Sequence, residues 1–165
     1  MHYKLSPLIL TPSQASGYIT EVYVTQPDSR KEMLAGRVFV LIEIESKRPE
    51  DLKIINFLIE DFCNNYYQDD KILLREKTKS ITIEHLFESS LAETNKRLLE
   101  FLHEEKIKFA PQNISATIGV IFETDIHFAN IGKNKALLIY NDKKENAYKI
   151  ADVVKSISLN FFRAL

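Results

Sequence analysis

Two spacings of apolar residues take turns along this chain, and their order predicts its elements. Residues 18–25 set Ile19, Val22 and Val24 among Thr20, Glu21 and Tyr23, β-branched and aromatic enough for a strand. Gln26-Pro27-Asp28-Ser29 reads as a turn or the start of a loop. Gly36 then opens a second strand over 37–46. From Pro49 the period becomes helical: Leu52, Ile55, Leu58, Ile59, Phe62 and Tyr66 recur on one stripe to about Tyr67. Pro49, Glu50 and Asp51 suit a first helical turn, where proline loses no hydrogen bond and acids meet the helix dipole. Residues 69–79 read as a charged loop. Thr82 can cap a second helix, striped by Leu86, Phe87, Leu91, Thr94, Leu98, Phe101 and Leu102 and ending near Glu105, before Pro111.

Beyond Pro111 the period returns to two. The pattern predicts strands over 114–122, 126–131, 135–140 and 147–151, separated by Glu123-Thr124-Asp125, by Gly132 to Asn134 and by a polar turn at 141–146. Strands joined by short turns are antiparallel, and the helices cluster in sequence, so the fold class is α+β with the helices on one sheet face. Apolar residues on both faces of 114–140 predict a sheet covered twice, as in a layered sandwich. Pro7, Pro12, Ser13, Ser16 and Gly17 predict an irregular or edge-strand lead-in. The chain stops on an apolar stretch from Val153 to Leu165, whereas termini are commonly polar. We therefore expect residues 1–165 to form one domain that is the N-terminal part of something longer.

The second strand is asymmetric. Val38, Val40, Ile42 and Ile44 share one face; Phe39, Leu41, Glu43 and Glu45 share the other. Such a strand leaves a core and opens into solvent or a cleft at its C-terminal end.

Composition narrows the function. With 165 residues and 45% hydrophobic positions an ordinary core can form. Lys+Arg 22 against Asp+Glu 23 leaves a net charge of -1, which argues against nucleic-acid binding. One cysteine, Cys63, excludes a disulfide framework. No apolar run reaches membrane-span length, and Pro7 and Pro12 interrupt the short N-terminal one, so a cytoplasmic chain without membrane contact is expected. The partner expected is a protein of unknown identity.

Candidate chemistry is sparse. His2, His85, His103 and His127 show no metal-ligand spacing. Cys63 lies on the first helix's apolar stripe with no basic neighbour to lower its pKa. The four glycines are isolated, so there is no phosphate loop. Glu43 and Glu45 stand out: two acids on one strand face can hold a hard cation or act as acid and base, although a solvated strand end reads the same way. No catalytic residue is assigned.

Three stretches together resemble the PPM-type (type 2C) metal-dependent Ser/Thr protein phosphatases. Val38-Phe39-Val40-Leu41-Ile42-Glu43-Ile44-Glu45-Ser46 resembles the strand ending in the family's Asp-Gly-x-Gly-Gly. Asn113-Ile114-Ser115-Ala116-Thr117-Ile118-Gly119-Val120-Ile121 resembles its Gly-Thr-Thr-x strand. Phe128-Ala129-Asn130-Ile131-Gly132-Lys133-Asn134-Lys135-Ala136-Leu137-Leu138-Ile139-Tyr140 resembles its Ala-Asn-x-Gly-Asp-Ser-Arg-x strand pair. Lys149-Ile150-Ala151-Asp152 resembles the lead-in to its Thr-x-Asp-His.

The resemblance implies a four-layer αββα sandwich, here incomplete, with two Mg²⁺ or Mn²⁺ ions whose bridging water attacks phosphorus. It places Glu43 and Ile44 at the metal-bridging Asp and following Gly. The extra methylene of Glu shifts a carboxylate by about 1 Å, which a binuclear site tolerates poorly. Ser46 and Lys47 stand in place of further glycines, and Lys133 in place of an acid. Asp28 is the nearest acid to the family's first acidic motif, so Glu43 and Asp28 are the candidate metal ligands if the chain is active.

The expected function is thus a degenerate, non-catalytic phosphatase-like domain, a binding or regulatory module without a cofactor. One alternative is a divergent Mg- or Mn-dependent phosphoprotein phosphatase completed by residues beyond 165. Another is an unrelated α+β hydrolase-like or interaction domain. Ala-Thr-x-Gly-Val strands also resemble those of N-terminal-nucleophile hydrolases, but Met1-His2-Tyr3 offers no nucleophile without cleavage.

Overall fold

Strand β2 (Arg37–Glu45) lies between β1 (Tyr18–Val24) and β3 (Ile114–Phe122) in a four-stranded antiparallel sheet that β4 (Asp125–Ile131) completes, in the order β1-β2-β3-β4. The computed structural model describes residues 17–46, 48–78, 80–142 and 147–152. The expected lead-in with His2, Lys47, part of the polar turn at 143–146 and the apolar tail from Val153 lie outside the described residues. Strands β5 (Leu137–Asp142) and β6 (Ala147–Asp152) pair with each other in a separate two-stranded sheet.

The alternation in β2 decides which side is core. Val38, Val40, Ile42 and Ile44 are buried, as are Ile114, Ala116, Ile118 and Val120 beside them on β3. Two helices lie across this face, α2 (Asp51–Tyr66) and α4 (Ile83–Glu104). Their stripes bury Ile54, Ile55, Leu58 and Phe62 from the first, and Leu86, Phe87, Leu91 and Leu98 from the second. Each such side chain contributes about 1.5–3 kcal/mol through removal from water. Phe57 stacks on Phe101 with ring centres 4.4 Å apart, and Phe62 meets Phe87 edge-on at 5.8 Å. Lys53 bonds Glu105 at 2.7 Å, so the start of α2 lies beside the end of α4 and the two run antiparallel. Thr82 caps α4 as its sequence predicts, its hydroxyl accepting the His85 N–H.

Two short helices replace predicted loops. Helix α1 (Ser29–Ala35) starts at Asp28, whose carboxylate accepts the Lys31 N–H at 2.9 Å, and ends at Gly36. Helix α3 (Asp69–Thr78) occupies the charged stretch. Each buries a single apolar residue, Ala35 and Ile72 respectively, so neither shows the repeat by which helices are read from sequence. Arg75 of α3 holds them together by donating to the carbonyls of Leu34 and Ile81.

The start of β2 is tied firmly to the end of α2. The Tyr66 hydroxyl donates to the Ala35 carbonyl at 2.7 Å, and that of Tyr67 to the Gly36 carbonyl at 2.8 Å. Tyr67 also accepts the Val38 N–H, and the Thr25 hydroxyl lies 3.0 Å from the same oxygen.

The second covering layer that the sequence predicts is not seen among the described residues. Phe39, Leu41, Ile121, Ile126 and Phe128 lie on the opposite sheet face, and among the described residues no helix packs there; Ile121 is buried, while Leu41 is 37% and Ile126 59% exposed. Among the described residues the sheet is covered on one face. Apolar residues on both faces mark two faces able to be buried, and sequence alone does not say what buries the second.

Candidate functional site

The three stretches that carry the family resemblance meet at one corner of the uncovered face. Glu43 near the end of β2 stands opposite Thr20 of β1 on one side and Ser115 of β3 on the other. Next to Ser115 runs the turn after β4. Gly132 adopts φ +75°, and a Cβ there would lie 2.7 Å from the Ser115 hydroxyl and 2.9 Å from its Cα, so only glycine lets this turn lie so close. The Ser115 hydroxyl accepts the Lys133 N–H at 2.9 Å. Lys133 Nζ is 3.9 Å from a Glu45 carboxylate oxygen, with both side chains largely in solvent, a contact worth little by itself.

One step along the strands the polar row continues. Thr117 donates to the Asn130 side-chain carbonyl at 2.6 Å, and the Asn130 amide donates to the Asn134 backbone carbonyl. The Asn134 amide reaches Thr117 at 3.4 Å. Asn130 is thus used at both ends of its amide, which fixes the turn that carries Lys133. The corner offers hydroxyls, amides, one lysine and the carboxylates of Glu43 and Glu45.

Asp28 is not at this corner. Because β1 and β2 are antiparallel, the C-terminal end of β1, which leads to Asp28, lies beside the start of β2: Val24 pairs with Phe39, Thr20 with Glu43. Asp28 serves as the α1 cap at the far end of the ladder. Antiparallel pairing puts the beginning of one strand against the end of the next, so the residue that faces Glu43 comes from the start of β1 and not from the stretch after it.

Below the corner, a cleft of about 300 Å³ opens between the end of β2 and the start of α2, lined by Ile44, Ser46, Arg48, Asp51, Phe109 and Asn113. Asp51 is 2% exposed and fully engaged. Its carboxylate accepts from the Ser46 hydroxyl and from the Arg48 guanidinium through both oxygens, at 2.8 and 3.0 Å. Arg48 also donates to the Lys108 carbonyl at 2.8 Å, joining three chain segments. We expect Asp51→Ala and Arg48→Ala each to lower the unfolding free energy by about 2 kcal/mol, the first because it strands the Ser46 and Arg48 donors, the second because it leaves a buried carboxylate without its counter-charge. Urea titration measures both; a loss under about 0.5 kcal/mol from either would contradict the assignment.

A second buried polar cluster ties α2 to α4. Asp61 accepts from Asn65 at 2.8 Å and pairs with Arg97 at 2.9 Å, while Asn65 reaches Thr94. Sequence reading placed Thr94 on the apolar stripe and missed its polar neighbours, which sit inside an otherwise apolar pattern. Every carboxylate in these clusters has a partner.

The other candidates are dispersed. His85 and His103 are exposed on α4 and His127 is half-buried on β4. Among the described residues no group of three or more His, Cys, Asp or Glu side chains is placed to hold a metal ion. Burial pushes the Cys63 thiol up to about 12, which leaves no reactive thiolate at neutral pH. No helix among the described residues is long and apolar enough to cross a membrane. No family model, curated protein or solved structure matches this chain.

Proposed function

We propose that this chain is a phosphatase-like domain of PPM type that has lost its binuclear metal site and serves as a binding or regulatory module. Three features support the family reading. The resembling stretches lie on adjacent strands and converge at one corner. Two long helices cover one sheet face only. The strand pair after Gly132 leaves the first sheet for a separate one, as the first strands of a second layer would. The uncovered, partly apolar face suits the second sheet of a sandwich.

One observation carries the loss of chemistry. The strand neighbours of Glu43 are the hydroxyl residues Thr20 and Ser115, and Lys133 lies against Glu45. A pair of hard divalent ions needs several carboxylate oxygens converging within about 2–2.6 Å of each ion. The donor set at this corner does not fit such a pair, and the lysine repels it.

Titration calorimetry with Mn²⁺ tests the reading. The expected result is no binding tighter than about millimolar, and no difference between the native chain and Glu43→Ala. Tight uptake of two ions that Glu43→Ala abolishes would refute it. Mn²⁺-dependent hydrolysis of a chromogenic phosphate ester above a Glu43→Gln control would instead establish a divergent phosphatase.

A further inference from the structure

Among the described residues the outer edge of β1 is open, and a groove runs along it. Ser46 N donates to Gly17 O at 2.8 Å and Thr25 N to Val38 O at 3.0 Å. These two bonds fix the odd-numbered residues as those bonded to β2. By the alternation of an antiparallel ladder, the N–H and C=O of Thr20, Val22 and Val24 point away from the sheet. Among the described residues β1 has no neighbour on that side. Beside it, a groove of about 550 Å³ separates β1 from α2, floored by Ile59 and Cys63 and rimmed by Glu21, Tyr23, Glu60 and Asn64. It leads past Tyr23 into a second hollow of about 320 Å³.

We propose that this edge and groove dock an extended, basic segment of a partner protein, which adds a fifth strand beside β1. The backbone row supplies sequence-independent bonds, and the groove selects side chains, the two components of strand-addition recognition. The groove-facing side chains of an added strand alternate, so an apolar one can rest on Ile59 and Cys63 while its neighbours two residues away meet Glu21 and Glu60. Among the described residues neither of those carboxylates has an ion pair or a side-chain hydrogen bond. Tyr23, 42% exposed, offers a ring face to a lysine or arginine. A second copy of the chain is disfavoured. The antiparallel register that overlaps all seven residues of β1 sets Glu21 against its own copy, and like charges directly opposite are destabilising. This proposal stands apart from the phosphatase-like reading, because it uses neither Glu43 nor the uncovered face.

Fluorescence anisotropy with the full chain tests it. The probe is a labelled peptide with Lys, Val and Lys at alternate positions separated by threonines. We expect binding at micromolar levels, and at least about tenfold weaker binding when both lysines are glutamates. Glu21→Lys with Glu60→Lys is expected to reverse that preference. Methylating alternate peptide nitrogens separates strand addition from loose charge attraction, since only one of the two alternating sets faces β1. One set is expected to abolish binding and the other to leave it unchanged. Val22→Pro removes one outward N–H and is expected to weaken binding with the melting temperature retained. Equal loss from both methylated sets, equal binding of the glutamate peptide, or no binding at about 1 mM overturns the proposal. So does a chain that dimerises through this edge, seen as a dimer that Val22→Pro dissociates.

Discussion

Gly36→Ala is expected to lower the unfolding free energy by about 3 kcal/mol or more, and to leave much of the protein unfolded if the native margin is of ordinary size. Gly36 ends α1 and delivers the chain into β2 with φ +72°. That backbone conformation already strains an alanine. The second penalty is steric. A Cβ at Gly36 would overlap the carbonyl oxygen of Ile121 and come within 2.9 Å of its carbonyl carbon. Ile121 is held in register opposite Arg37, so its backbone cannot retreat without breaking the β2–β3 ladder. The loss would spread further, because the Gly36 carbonyl receives the Tyr67 hydroxyl and the adjacent Ala35 carbonyl receives Tyr66. A urea midpoint that falls with an unchanged slope would show a local steric cost in a two-state fold. A change under about 1 kcal/mol would mean that the strands yield, and the account of this junction would be wrong.

Alkaline pH should unfold the protein steeply, through groups in the same region. Burial raises the Cys63 thiol from 9.0 to about 12. It raises the Tyr67 hydroxyl from 10.0 to about 12 and moves Tyr66 in the same direction. All three are neutral acids that the folded chain keeps protonated. In the unfolded chain they ionise at their ordinary values, so above pH 9 the unfolded state holds fewer protons than the folded one. Stability therefore falls as pH rises. These groups withdraw nothing below their ordinary values, and the thiol acts alone between pH 9 and 10. Both Cys63 and Tyr67 then contribute up to about pH 12. Each group removes at most about 1.4 kcal/mol per pH unit within its window. Cys63→Ala should flatten the loss from pH 9 to 10, and Tyr67→Phe should leave that range alone while flattening the range above pH 10. Denaturant titrations at successive pH values provide the measurement. An unaltered slope below pH 10 in Cys63→Ala would contradict the burial assigned to the thiol.

Much of the scaffold was legible because its long elements repeat. The stripe through Ile55, Leu58 and Phe62 and the alternation through Val38, Val40 and Ile42 each declare a period over several turns or pairs. The strand at Ile114–Phe122 was read to the residue. What escaped were elements held by one anchor. Helices α1 and α3 bury one apolar residue apiece and are fixed by Asp28, Arg75 and Gly36, interactions that no periodicity records. The candidate site was half legible. The face shared by Glu43 and Glu45 followed from alternation in one strand. Pairing Glu43 with Asp28 followed the family resemblance, in which Asp28 is the nearest acid to the first acidic motif, whereas the antiparallel register brings Thr20 and Ser115 to Glu43. Cross-strand neighbours are a property of register, and register depends on a hairpin whose connection here contains a helix that sequence did not announce.

The two poles of the sheet differ in what holds them. At the Gly36 pole, tyrosine hydroxyls, a buried threonine and crossing backbones are interlocked, and almost any substitution disturbs the core. At the Glu43 pole, the side chains on the bare face emerge from a finished ladder, and Glu43, Glu45, Thr20 and Lys133 are all exposed or half-buried. Surface chemistry at that pole is separable from foldability: a lineage could shed catalytic groups there, or a designer install new ones, while the architecture beneath endures.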